Sequence, residues 1–164
     1  MIQTNLLKNS SSFNGWNHYR INLNADQSAP DGTNSAFQIT PTYTIGQHFL
    51  STEGVDAGNV LSIFVQNSRY NLFGLGQGIL GTSCAIFDLE NHIVKSVEGG
   101  TALIEPLGLG WSRVAFISNN ISSEYYIWPN GNLGNYSGGS PINIWGPQLE
   151  TGSKPTSYAP FILV

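Results

Sequence analysis

The chain has 164 residues, 40% of them hydrophobic and only 10% charged, with a net charge of −4. That length suits one domain with a substantial core. Its six Lys and Arg are scattered, which argues against a nucleic-acid partner, because phosphate binding needs clustered cations. One cysteine, Cys84, leaves neither an internal disulfide nor a cysteine-rich zinc site. No run approaches the roughly 20 apolar residues of a membrane-spanning helix, and "MIQTNLLKNSSS" lacks the basic-then-apolar pattern of a signal peptide.

With so few charges, the polar surface must come from Asn, Ser, Thr, Gln and Gly, a composition that suits short strands and turns better than helices. No helical period is sustained anywhere, whereas two-residue alternation recurs. Residues 18–24, "HYRINLN", predict a half-buried strand with Tyr19, Ile21 and Leu23 on one face. "APDGTN" follows as a turn, since Pro presets φ and Gly accepts positive φ. "SAFQIT" is the next strand. "NVLSIFVQN" (59–67) is almost wholly apolar, so both of its faces are expected to be covered. "RYNLFGL" alternates, and "TSCAIFDL" and "HIVKSV" flank a hairpin at "ENH", with Cys84 expected as a small buried hydrophobe. Two strands meet at a Gly-rich turn at 108–110, "SSEYYIWPNG" ends in a Pro-Asn-Gly turn, and 131–141 is expected as the most flexible loop. "INIWGPQLE" closes the fold. Its alternation sends Ile142 and Ile144 inward and Trp145 outward, Gly146-Pro147 interrupts the ladder, and Leu149 returns to the core. The prolines of "KPTSYAP" keep it extended, so Tyr158 is expected to lie back across the fold.

About nine or ten strands at this spacing predict an all-β jelly-roll β-sandwich of two antiparallel sheets. The chain is taken as a single domain over 1–164, with a short N-terminal arm (1–5) and an apolar C-terminal tail (159–164).

Four segments in order, "NLLKNSSSFNGW", "SAPDGTNSAFQIT", "GLGWSRVAF" and "IWGPQLETGSKPTSYAP", give the chain its resemblance to bacteriophage virion jelly-roll modules, which are themselves similar to carbohydrate-binding modules. The closing segment is the most specific of the four. The resemblance implies a non-catalytic structural protein at the particle surface: a capsid decoration (cement or knob) subunit that contacts other virion proteins such as the major capsid protein, with host surface glycan as a further contact. It equally allows a lectin-like receptor-binding module of a tail fibre.

Candidate chemistry is sparse. The ten Asp and Glu carry no local context that marks a facing acid pair. His18, His48 and His92 are far apart, and no zinc spacing, Gly-x-Ser-x-Gly or P-loop is present. No cofactor is expected and no catalytic residue is assigned. The resemblance suggests a structural calcium with Glu150 as a weak ligand candidate, but the N-terminal segment supplies too few acidic partners. For sugar, Tyr126 and Trp128 share one face, with Asn130 beyond them, and Arg69 and Asn71 offer a second polar group. Trp16 and Trp111 are expected to pack at the ends of the sandwich. Finally, Phe161, Ile162, Leu163 and Val164 cannot all face inward in a strand. Burying each is worth about 1.5–3 kcal/mol, so the tail is expected as an assembly interface, within a homotrimer by the resemblance.

Overall fold

The computed structural model describes residues 5–7, 10–68, 72–77 and 82–158. One turn of 3₁₀-helix, Phe13–Gly15, is capped by the Ser12 hydroxyl, which accepts from the Asn14 N–H. Ten strands follow: β1 Asn17–Tyr19, β2 Ile21–Gln27, β3 Ala36–Pro41, β4 Phe49–Gln66, β5 Leu72–Gln77, β6 Cys84–Asp88, β7 Ile93–Glu98, β8 Gly100–Gly108, β9 Trp111–Trp128 and β10 Ile142–Glu150. All pairings are antiparallel. The architecture is an all-β sandwich.

Its two layers are not separate sheets, as the strand count alone had implied. The main hydrogen-bonded path runs β2-β3-β10-β4-β9-β5-β6-β7, with β1 added to β4 and β8 to β9. The long strands β4 and β9 pass through both layers. Residues 60–66 of β4 lie between β10 and the first half of β9, which also carries β8. Residues 49–53 of β4 lie between β1 and the second half of β9, which carries β5. Between these halves the register shifts at Glu53/Gly58 and Gly58/Val60. Such a bulge bends a strand and increases its twist, which lets one pair of strands serve both layers. Tyr125, fully buried, pins the bend by donating its hydroxyl to the Gly58 carbonyl at 2.6 Å. One core joins the layers: Leu61, Ile63, Val65, Val114 and Phe116 from one half pack in the same cluster as Leu50, Phe73, Leu75, Phe87 and Ile127 from the other.

The apolar run in β4 is covered on both faces, as expected; of residues 60–66 only Phe64 and Gln66 are partly exposed. The turns after β2, at 89–92 and at 108–110, and the Pro-Asn-Gly turn after β9, also fall where the sequence placed them. Cys84 is buried. Residues 18–24, by contrast, are two strands. Arg20 has φ +55°, which breaks the alternation, so Tyr19 pairs with Phe49 in one layer while Ile21 pairs with Pro41 in the other. Tyr19 is consequently exposed and stacks on Phe49 at 4.9 Å rather than sharing a buried face with Ile21. The 131–141 loop, expected to be the loosest, is anchored: Tyr136 and Gly46 exchange backbone hydrogen bonds of 2.9 and 3.0 Å, and the Tyr136 ring stacks on buried His48.

The closing segment follows its sequence reading closely. Ile142, Ile144 and Leu149 are buried, and β10 pairs with β3 and β4. Gly146 takes φ +62°, and the register with β4 shifts between Trp145 and Gln148. Asn5, the last residue of the expected N-terminal arm, packs against the closing strand. It is 2% exposed and fills the gap left by the bulge: its amide donates to the Pro147 carbonyl at 2.9 Å, and its side-chain oxygen accepts the N–H groups of Leu7 and Leu149, each at 3.1 Å.

Candidate functional site

The residues singled out for sugar binding do not form an open platform. Tyr126 and Trp128 do share a face, with rings stacked at 5.7 Å and 12°. Trp128, however, is 1% exposed. The reason lies in β5, where Gly74 pairs with Trp128. A Cβ on Gly74 or Gly76 would come within 3.3 or 2.8 Å of the Trp128 side chain, so the bare glycines leave the volume that the indole fills. The "GLG" of β5 is thus a socket, and Trp128 is a core residue rather than a stacking surface. Tyr126 is half-buried, packs edge-on against Phe49 and donates its hydroxyl to Glu124, which raises its pKa to about 12. Asn130 is spent on its turn, accepting the Asn132 N–H at 3.2 Å. Arg69 and Asn71 lie outside the described residues, as do Phe161, Ile162, Leu163 and Val164.

Glu150, the calcium candidate, is 1% exposed and already occupied. Its carboxylate accepts from the Gln148 amide at 2.6 Å, the Thr156 hydroxyl at 2.8 Å and the Thr156 N–H at 3.2 Å. It fastens the "KPTSY" segment to β10, with Arg113 as a nearby countercharge. Burial lowers the Arg113 pKa, and Glu150 and Glu105 oppose that shift. Among the described residues, no three His, Cys, Asp or Glu gather at one place. His18 and His48 each donate Nε2–H to a backbone carbonyl, those of Phe13 and Thr42.

A concave feature lies elsewhere, on the outer face of the closing strand. Trp145, opposite inward-facing Ile144, packs against Phe64 at 5.1 Å and Tyr158 at 4.8 Å. Tyr158 has folded back as its prolines suggested and donates its hydroxyl to the Ser10 carbonyl at 3.0 Å. Trp111 and Ala36 form the floor beside them. Two cavities open on this group. One, about 670 Å³, reaches toward Trp111 and the β8–β9 turn, whose Leu107 and Leu109 are 45% and 93% exposed. The other, about 330 Å³, reaches toward Ser10, Ser11 and Phe37. Asp31, Trp145 and Tyr158 border both, so the two cavities are halves of one cleft with a carboxylate at its waist. Their volumes lie in the range of ligand pockets.

The polar rim of this cleft has a direction. Trp145 Nε1–H donates to Ser35 Oγ at 2.9 Å. Ser35 and Thr33 hydroxyls lie 2.6 Å apart, and Thr33 Oγ1 lies 2.6 Å from Asp31 Oδ1. Ionised Asp31 can only accept, so the Thr33 proton goes to Asp31 and the Ser35 proton to Thr33. The chain of donors therefore runs Trp145 to Ser35 to Thr33 and ends on Asp31. The Thr33 hydroxyl and N–H hold the Asp31 carboxyl below its usual range. Burial, and then the charge of Asp31, push the Tyr158 phenol up to about 12. Asp31 Oδ1 takes both Thr33 donors, which leaves Oδ2 for an incoming donor. Among the described residues, no Lys, Arg or His lines either half of the cleft.

Sequence reasoning had Trp145 facing outward, Tyr158 folded back and a turn at Asp31, but not their convergence, which depends on pairing β3 with β10. The available signal was the outward Trp near the start of the most specific segment. No family model matches the chain, and no curated protein matches it either.

Proposed function

We propose that the chain is a non-catalytic attachment module of a bacteriophage particle, a capsid-decoration subunit of jelly-roll connectivity that docks on other virion proteins at the particle surface. The observation that carries this reading is the aromatic cleft on Trp145 and Tyr158, because both residues belong to the closing segment on which the virion resemblance is strongest. Support also comes from the histidines His18 and His48 and the carboxylate Glu150, which are committed to holding the fold. A purified, fluorescently labeled chain should co-sediment with particles stripped of their decoration and not with host cells.

The second reading, a lectin-like tail-fibre module for host glycan, is favored by the same partly exposed aromatic rings. Binding to host cells that a soluble host glycan displaces, with no binding to particles, would select it instead.

Assembly as a homotrimer through Phe161–Val164 belongs to the first reading. Deleting those four residues should lower the mass measured in solution by light scattering to that of a monomer, and an unchanged oligomer would assign assembly to another surface.

A further inference from the structure

The cleft around Asp31 combines three properties that constrain its occupant. Its walls are rings and aliphatic groups: Trp145, Tyr158 and Phe64 on one side, Leu107, Leu109 and Pro30 toward the other. The donors nearest its waist are already spent, since Trp145, Ser35 and Thr33 pass their protons toward Asp31 and Tyr158 gives its own to Ser10. One ionised carboxylate remains with an oxygen free to accept, and no basic side chain among the described residues lines the cleft to neutralise it. Arg113 reaches the Phe64 ring at 5.2 Å, but its guanidinium donates to Ser62 and is drawn toward Glu150 and Glu105.

A group entering such a site must bring donors, gains from positive charge, and gains again from lying against ring faces. Ammonium and guanidinium groups meet all three conditions. An anionic glycan brings donors and faces that stack on rings, but its charge is repelled by Asp31. The shape adds a further constraint: apolar space extends on both sides of Asp31, in the two halves of about 670 and 330 Å³. A small headgroup would fill the waist alone, whereas an extended polypeptide fills the waist and both arms.

We infer that the cleft is a peptide-docking groove that takes a lysine or arginine side chain at Asp31, with apolar residues of the same partner segment lying to either side. This rests on the reading of the chain as an attachment module, and names the chemistry of what it attaches to: a basic side chain within an apolar stretch of a partner protein.

Panning a random peptide library on the wild-type chain and on Asp31→Asn tests it. Asparagine keeps an oxygen for the Thr33 donors, so the turn is retained, and an unchanged thermal melt checks this. The wild type should recover peptides with a Lys or Arg flanked by Leu, Ile or Pro. A synthetic peptide of that consensus should lose about tenfold in affinity for Asp31→Asn, and about as much when its basic residue is replaced by norleucine or citrulline. Ser35→Ala, which removes the partner of the Trp145 indole, should weaken the same peptide while leaving Asp31 in place. Recovery of neutral or acidic peptides, no recovery above background, or equal binding to Asp31→Asn would overturn the inference. Choline-headed vesicles or neutral oligosaccharides that compete better than any recovered peptide would also overturn it, while leaving an attachment role intact. Basic peptides that bind the cleft of a chain that does not co-sediment with particles would instead sink the virion reading and keep the groove.

Discussion

Trp128 shows how a single residue changes meaning between sequence and structure. Its alternation with Tyr126 was legible, and the two rings do share a face. Its burial was not, because it is decided by Gly74 and Gly76 on a strand some fifty residues away, which vacate the space for the indole. Removing a buried Trp leaves a large cavity, so Trp128→Ala should cost about 3–5 kcal/mol in chemical denaturation. Were Trp128 an exposed sugar platform, the cost would be near zero. Trp145 is the converse. Alternation put it outside, but only the donor chain through Ser35 and Thr33 to Asp31 gives it a defined setting. That chain joins the interior of β10 to the turn between β2 and β3, which no local pattern connects.

Among the elements, β10 was the most legible and the long strands the least. The Ile-x-Ile alternation and the Gly-Pro break gave β10 its faces and its bulge, because both signals are local. β4 and β9 were read as shorter strands; the residues that bend them, such as Gly54 and Gly58, look like ordinary strand-ending glycines. At Gly58 a Cβ would lie 2.8 Å from the Glu150 carbonyl, so the glycine there permits close passage of β10 rather than a stop. The bulge in β10 has its own dependency. Asn5 supplies the donor and acceptor that the broken ladder lacks at Pro147 and Leu149. Asn5→Ala leaves those buried groups without partners, an expected loss of about 1–3 kcal/mol. Asn5→Asp, which keeps the acceptor but loses the donor and adds a buried charge, should be no better. Thermal unfolding of both variants beside the wild type checks this; wild-type stability in Asn5→Ala would mean that the N-terminal segment does not hold the bulge.

At the scale of the whole molecule, the sandwich was readable from composition and strand spacing, while the sharing of β4 and β9 between its layers was not. The tyrosines give the intact fold a pH signature. Burial raises the pKa of Tyr125 well above its usual value of 10, the Glu124 hydrogen bond raises that of Tyr126 to about 12, and burial raises that of Tyr158 to about 12. Below about pH 10 these phenols are neutral in both folded and unfolded chains, so they add no pH dependence. Above it the unfolded chain ionises first, releases protons, and gains relative to the folded state. The melting temperature should therefore fall as pH rises from about 10 to 12. A melting temperature flat across that window would mean that these phenols titrate freely in the folded protein.

The central claim is that the outer face of the closing strand is the surface by which this module attaches. Electron cryomicroscopy of particles carrying the chain tests it most directly. The account predicts the module on the particle surface with Trp145, Tyr158 and Asp31 covered by a segment of a neighboring virion protein. A module absent from the particle, or one held there by another face with this cleft open to solvent, would contradict it.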